Sequence, residues 1–561
     1  MSSNTTTAEP LSGGLNFKLS TMMFLQYAIW GAWLPLLWPF LSGHRGFTPT
    51  EIGNMFAVGA IGAIVAPFIA GQIADRWFNT EKFLAISHIL GGILVWQLAS
   101  LESYKSFLYF SLGYSLVYSP TLSLTNSLSF HHLPDRDRDF GKIRIWGTVG
   151  WIAVGIGIGQ WLLMNWTPNE TEPARGITVE AIYKNPTTNI PKAIEINSKH
   201  LDGVLSTNLL QSAKKIAWTS VLTENKVEIP TKTEKDKKVT DYAKVEELIN
   251  KQDSEKVKTA VLKQIGKDIK GGAQAAGMAD AFKVSGALGI LMGIFCFFLP
   301  STPPSKEEKK SAIAGALGAI KHQPLITLFF IAVPISCVHQ FYFVHTAPFL
   351  GQFQNQAEGF INIVNKIVGV GGGGLMTIGQ MMELAVLAFI PLFAKKVSRK
   401  TLLCIGIVAY TIRMFLFAYG PSFPEAVQLP AIILGVSMHG FCFGCFIFVA
   451  FMVVDEECSS DVRASAQSLF NLVIVGIGII VGSLIAGKIA EIATIDDKMD
   501  YTKLFSYPMW AALACLVFML AVYPNKPPAM ETPATDDEPD SGSDDEISES
   551  DNSGEENSQE S

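Results

Sequence analysis

Gln380 and Glu383 sit three residues apart in the stretch Thr377-Ile-Gly-Gln-Met-Met-Glu-Leu-Ala-Val-Leu387, inside an apolar run from about 361 to 393. Glu383 is the only carboxylate between Glu358 and Glu425. On a helix the two residues share a face. A carboxylate in the middle of a membrane-length apolar segment is costly when charged, so it must face protein or water and not lipid. It can serve a solute or proton pathway. Alternatively, it is a structural acid, kept neutral and hydrogen-bonded to a neighbouring helix.

Other apolar runs carry polar and aromatic residues at helical spacing. One has Gln26, Trp30 and Trp33; another has Arg144, Thr148 and Trp151; a third has His439, Phe443 and Phe446. A fourth adds Gln340, with His339 and His345 nearby. Amides, a guanidinium and a carboxylate hydrogen-bond hydroxyls and the edge of a heterocycle, and aromatic faces stack on flat rings. A hydroxylated ring joined to a planar base uses both sets. Each residue also has a plainer role. Trp30 and Trp33 suit interhelix packing, Arg144 can snorkel to headgroups, and the histidines suit interhelical hydrogen bonds. The functional signal is the convergence of several faces.

The elements that must position these residues are membrane helices. Hydrophobic residues make up 49% of the 561 and charged ones 17%, and apolar runs of about 20 residues, the length that crosses a bilayer, recur along the chain. The first begins after a polar leader and is too long and too aromatic for a cleavable signal peptide. Twelve spans are expected: near 18–41, 52–73, 82–101, 106–130, 143–164, 280–300, 323–350, 361–394, 400–420, 427–455, 464–491 and 504–524. The fold class expected is an all-α membrane protein in two pseudo-symmetric six-helix halves.

Alternate loops are rich in lysine and arginine: Arg76 and Lys82; Arg136, Arg138 and Lys142; Lys306 to Lys321; Lys395 to Lys400; and Arg463. That bias predicts both termini on the cytoplasmic side of a plasma membrane, the inner membrane if the source is Gram-negative. A faint internal repeat supports two halves: Val154-Gly-Ile-Gly-Ile158 in the fifth span echoes Val475-Gly-Ile-Gly-Ile479 in the eleventh. Repeated halves with a central site are the plan of a rocking transporter.

The domain plan is a polar leader 1–17, helices one to five over 18–164, a polar outer insert 165–278 and helix six over 279–300. A central cytoplasmic loop 301–322, helices seven to twelve over 323–525 and an acidic tail 526–561 complete it. Residues 235–270 of the insert suit one or two amphipathic helices or a solvated loop. Asn165 and Asn169 open glycosylation sequons, relevant in a eukaryotic source. The net charge of −7 mostly reflects the tail, whose composition predicts disorder.

All seven cysteines but Cys458 lie in apolar runs, so no disulfide framework is expected in the insert. Cys442 and Cys445 read as small apolar residues on one helix face. No nucleophile–base pair, cofactor motif or metal-ligand cluster appears, so neither an enzyme nor a metal or cofactor protein is expected, and nothing points to nucleic acid.

The chain resembles the major facilitator superfamily, with Gly71-x-x-x-Asp75-Arg76 similar to its loop motif between helices two and three. More specifically it resembles the nucleoside:proton symporter branch, the bacterial nucleoside and xanthosine permeases. The resemblance is carried by Phe24-Leu-Gln-Tyr-Ala-Ile-Trp-Gly-Ala-Trp-Leu34, Tyr118-Ser-Pro-Thr-Leu-Ser-Leu-Thr-Asn126, Ile143-Arg-Ile-Trp-Gly-Thr-Val-Gly150, Gln380-Met-Met-Glu383 and Arg463-Ala-Ser-Ala-Gln467. It implies a site for nucleoside lined by Arg144, Thr148, Gln340, Gln380 and Glu383, with Trp151, His439 and Phe443 where the family has other aromatics. Gln26 and Trp30 join this set as candidates. Asp75 and Arg76 suit a conformational latch at the helix ends. Two departures stand out: Phe343 where the family can have Asn, and Gly444 where proton-coupled relatives can carry an aspartate. Glu383 then carries the proton, or the protein is a facilitator.

The expected function is import of nucleosides by proton symport across the lipid bilayer. A carrier for a sugar or other hydroxylated solute, an uncoupled nucleoside facilitator, and a sensor using the outer insert are the alternatives.

Overall fold

The computed structural model describes residues 10–69, 78–167, 207–234, 237–303, 313–355, 359–394, 396–459, 462–495 and 498–525. Asp75, Arg76, Asn169, the lysines at 306–310, Lys395 and the acidic tail lie outside them. Among the described residues nine helices are long and apolar enough to cross a membrane. Three more long helices, Pro49–Ile69, Thr80–Leu98 and Tyr104–His132, pack among them. The set is compatible with twelve spans, which are counted below in chain order.

The first half comprises Gly13–Gly43, the three helices just named, Arg136–Asn165 and Ala279–Cys296. The second comprises Leu325–Gln354, Gly373–Ala394, Arg399–Tyr419, Glu425–Glu457, Arg463–Ala493 and Tyr501–Val522. Proline interrupts the hydrogen-bond ladder of several of them. Pro35 sits in a 3₁₀ turn in the first span, and Pro120, Pro334, Pro348, Pro430 and Pro508 lie within helices, each removing one ladder donor.

The eighth run is not the single helix expected over 361–394. It forms a short helix Phe360–Val368, a break, and a longer helix from Gly373 to Ala394. Gly369, Gly371 and Gly372 adopt φ of 76°, 85° and 83°, a region that disfavours side chains bearing a Cβ. The backbone groups freed by the break are taken up by Gln354, which is fully buried. Its Nε2 donates to Gly369 O at 2.8 Å, and its Oε1 accepts from Gly372 N at 2.7 Å.

The halves meet along two seams, the fifth span on the eighth and the eleventh on the second. Both copies of the Gly-Ile echo lie on these seams. A Cβ added at Gly155 would lie 2.9 Å from Thr377, and one at Gly476 would lie 2.8 Å from Ile64. The local backbones differ, however. Leu472–Gly478 is a π-helical turn, whereas the fifth span is regular α-helix there.

Among the described residues, polar contacts between the halves lie on the side that bears the insert. Val370 N donates to Gly159 O at 3.0 Å, Gln160 Nε2 donates to the carbonyls of Lys366 and Ile367, and Thr50 donates to Glu491. On the opposite side, Arg399 pairs with Glu456 and Arg138 with Asp139, each within one half.

The later part of the insert has its own small core. Helices Thr207–Glu224, Tyr242–Ile249 and Ser254–Gly277 surround Trp218, Val221, Val245, Val257 and Val261, beside a hairpin of Thr231–Glu234 with Lys237–Thr240. Helix Ser254–Gly277 runs through Met278 into the sixth span. The joint is fastened by Asp280, which accepts from the indole N–H groups of Trp161 and Trp166 at 3.0 and 2.9 Å.

Candidate functional site

Glu383 lies on the eighth span and keeps 16% of its side-chain exposure. Its Oε2 is 3.4 Å from Nε2 of His439, contributed by the tenth span just before a π-helical turn, Cys442–Phe448. Arg144, on the fifth span, is half-buried, and its guanidinium carbon sits 4.1 Å from the centre of the Tyr27 ring in the same half. It stacks inward on the first span, an orientation unlike that of a side chain snorkelling to headgroups. Arg144 and Glu383 belong to opposite halves, and among the described residues the ion-pair partner of Glu383 is His439. Thr148 is half-buried one turn further along.

An aromatic bridge also joins the halves. Trp30 packs edge-on against Trp151 at 5.7 Å, and Trp151 packs edge-on against Phe343 at 6.4 Å. Gly31 makes room for Trp151, because a Cβ there would lie 2.8 Å from the indole. Phe343 in turn touches His339 and His439.

Other candidates are placed differently. Gln26 is fully buried, with both ends of its amide engaged inside the first half. Its Oε1 meets His88 Nε2 at 2.8 Å, and its Nε2 donates to Thr121 Oγ1 at 2.9 Å. Tyr118 donates to its backbone carbonyl. These contacts assign Gln26 to an internal polar network, not to the cleft. Trp33 packs on Tyr114 and Phe282 in the core. Gln340 donates to Ser483 Oγ at 3.0 Å, which ties the seventh span to the eleventh. Gln380 is buried, and its Oε1 lacks a hydrogen-bond partner. Phe443 is half-buried, while Phe446 is fully buried against Gly406 and the Tyr410 ring. The π turn adds a residue to the helical period, so the α-helical spacing that grouped Phe446 with His439 does not hold.

At Gly444 the structure gives a packing reason for the missing acid. A Cβ there would lie 2.7 Å from Val386 and 3.0 Å from Ile390.

Sequence reasoning missed Arg413, Tyr342 and Tyr410. Arg413 is fully buried on the ninth span, and none of its three guanidinium nitrogens has a hydrogen-bond partner. The rule that singled out Glu383, a lone charge in a membrane-length apolar run, applies equally to Arg413.

Two six-helix halves around a central cluster of charge, amide and aromatic groups define a membrane transporter of the major facilitator type. The chain belongs to the nucleoside H+ symporter family, whose model matches residues 14–174 and 270–527. It is 27% identical over 511 residues to the putative nucleoside transporter YegT of Escherichia coli (strain K12), covering 90% of this chain and 92% of that one. It is 24% identical to the xanthosine permease of the same organism, covering 90% and 94%. The crystal structure of the nucleoside transporter NupG superposes with a TM-score of 0.62 at 20% identity, covering 91% of this chain and all of that one.

Proposed function

We propose that the protein imports nucleosides together with protons across a plasma membrane by alternating access, with both termini cytoplasmic. Family membership supports the solute class and the coupling ion. The observation that carries the mechanism is the Glu383–His439 pair at 3.4 Å in one half, together with the Trp30–Trp151–Phe343 contacts that join the halves; Arg144, stacked on Tyr27 of the other half, is read as facing the same cleft. Aromatic faces hold the base, and Arg144, Thr148, Gln380 and Glu383 hold edges and hydroxyls. Among the described residues, the polar contacts between the halves lie on the insert side, which suits a state open toward the cytoplasm. Rocking about the two glycine seams would close that side and open the other.

Glu383 is the proton carrier in this reading. Protonated, it is tolerated inside the closed site; wetted by the open cleft, it releases the proton. The packing at Gly444 leaves no room for a competing acid at that position of the tenth span. The test is uptake in proteoliposomes. Nucleosides should compete with labelled uridine or adenosine far better than ribose or glucose, since each part of the ligand uses separate contacts. Glu383→Gln should abolish pH-driven accumulation while sparing exchange. Arg144→Lys should lose most transport at normal abundance, because lysine lacks the planar fork. Equal competition by ribose would reject the nucleoside reading. Wild-type transport without proton movement would make the protein a facilitator.

A further inference from the structure

We propose that Arg413 is the fixed positive charge that allows Glu383 to give up its proton, acting through the stacked rings of Tyr342 and His439. This inference rests on Glu383 being the proton carrier.

The guanidinium carbon of Arg413 lies 4.1 Å from the centre of the Tyr342 ring and 5.8 Å from that of Tyr410. Tyr342 is stacked on His439 at 4.7 Å with 15° between the planes. His439 Nε2 is 3.4 Å from Glu383 Oε2. A second connection runs from Tyr410, whose hydroxyl is 2.6 Å from His339 Nδ1, to His339, which is stacked on His439 at 5.5 Å. Four spans therefore contribute to one continuous buried cluster, with Arg413 at one end and Glu383 at the other.

Aromatic faces compensate only part of the lost hydration of a guanidinium, and a buried charge calls for an opposite charge. Arg413 has no hydrogen-bond partner. The titratable and charged groups facing the cluster are Tyr342 and His339 from the seventh span, Glu383 from the eighth, Tyr410 from the ninth, and His439 and Cys442 from the tenth. Arg144 comes from the opposite half. Among these Glu383 is the sole carboxylate. Within the second half, ionised Glu383 with neutral His439 balances the charge of Arg413, while Arg144 of the first half is half-buried; with Glu383 protonated, the charge of Arg413 is left unbalanced in that half.

The step is a single ionisation. The O–H bond of Glu383 breaks, its proton passes to water in the open cleft, and the carboxylate then accepts a hydrogen bond from His439 Nε2–H. Arg413 touches neither solute nor proton. It is a positioning residue that acts by charge, and the rings between it and Glu383 keep the two from locking into a direct ion pair.

Reconstituted wild type, Arg413→Gln, Arg413→Lys, Glu383→Gln and the double variant Arg413→Gln/Glu383→Gln test this. The readouts are uridine-driven proton uptake, uridine exchange and melting temperature. Arg413→Gln should lose at least tenfold of its pH-driven accumulation while keeping exchange, and the pH profile of any residual proton coupling should move to higher pH. Arg413→Lys should retain coupling. Removing both charges should cost less than the two single losses added together, as for interacting partners in a double-mutant cycle. If Arg413→Gln alone is too unstable to purify, recovery of folded protein by the double variant supports the charge link, and failure to recover overturns it. A coupled Arg413→Gln with the wild-type pH profile, or strict additivity, also overturns it. If the wild type itself moves no protons, it is the symport reading that fails, and this inference falls with it.

Discussion

Gln160 closes the insert-side seam in a way that can be put into numbers. Its amide, on the fifth span, donates from Nε2 to the carbonyls of Lys366 and Ile367 at 2.9 and 3.0 Å. These belong to the last turn of the short helix Phe360–Val368, whose terminal carbonyls have no partner within the helix. Gln160 thus caps a helix of the other half, and the cap exists only while the two halves touch. A neutral hydrogen bond contributes about 0.5–1.5 kcal/mol net, and at this exposed position the pair is worth about 1–2 kcal/mol. Gln160→Ala should therefore shift the balance between closed and open insert sides by roughly 5- to 30-fold. Spin labels at the exposed positions Glu102 and Ala426, which lie on this side in opposite halves, would report it by double electron–electron resonance. The native cysteines are all buried or half-buried, which limits stray labelling. The long-distance population should grow in Gln160→Ala and shrink again when substrate is bound. An unchanged distance distribution would show that the cap contributes nothing to closure and would refute the reasoning.

Three further outcomes are expected. Gly444→Asp should lower stability by about 1–3 kcal/mol through overpacking against Val386 and Ile390, without gain of coupling; relief by Val386→Ala, read from melting in detergent, checks the cause. His88→Ala should orphan Gln26 Oε1 and cost about 1–3 kcal/mol, while the KM for nucleoside stays near wild type; a large KM change would return Gln26 to the binding site. On the insert side, burial holds the His44 imidazole below its usual value of 6.5, helped by Arg45 and opposed by Glu102. A depressed histidine favours the neutral form in the fold, so its contribution is full above about pH 6.5 and is lost as pH falls through the folded value. The stability difference between wild type and His44→Gln should therefore change only on the acidic side of pH 6.5, as followed by melting from pH 8 to 5.

Much of the protein was legible in one dimension. Runs of bilayer length give the class, because a helix must satisfy its own backbone in lipid. The basic loops suggest an orientation, and Glu383 stands out because charge is so rare at that depth. The family resemblance rests on short strings such as Arg144-Ile-Trp-Gly-Thr148, which are also local. Tertiary structure decided what depends on contacts between distant residues. Gln26 looked like a cleft residue until His88, 62 positions away, took its amide. The eighth run looked continuous, since glycines are tolerated in membrane helices; the break at Gly369–Gly372 is stabilised by Gln354 and Gly159 reaching in from other spans. Phe446 changed faces because a π turn altered the period that any spacing argument assumes. Arg413 was visible as a letter, but its isolation from every hydrogen-bond partner, and its approach to Glu383 through two stacked rings, arise only when four spans pack together. Hydrophobic length is written locally in the chain. The pairing of buried polar groups is a property of the packed helices, because each needs a partner that the neighbouring residues in sequence cannot supply.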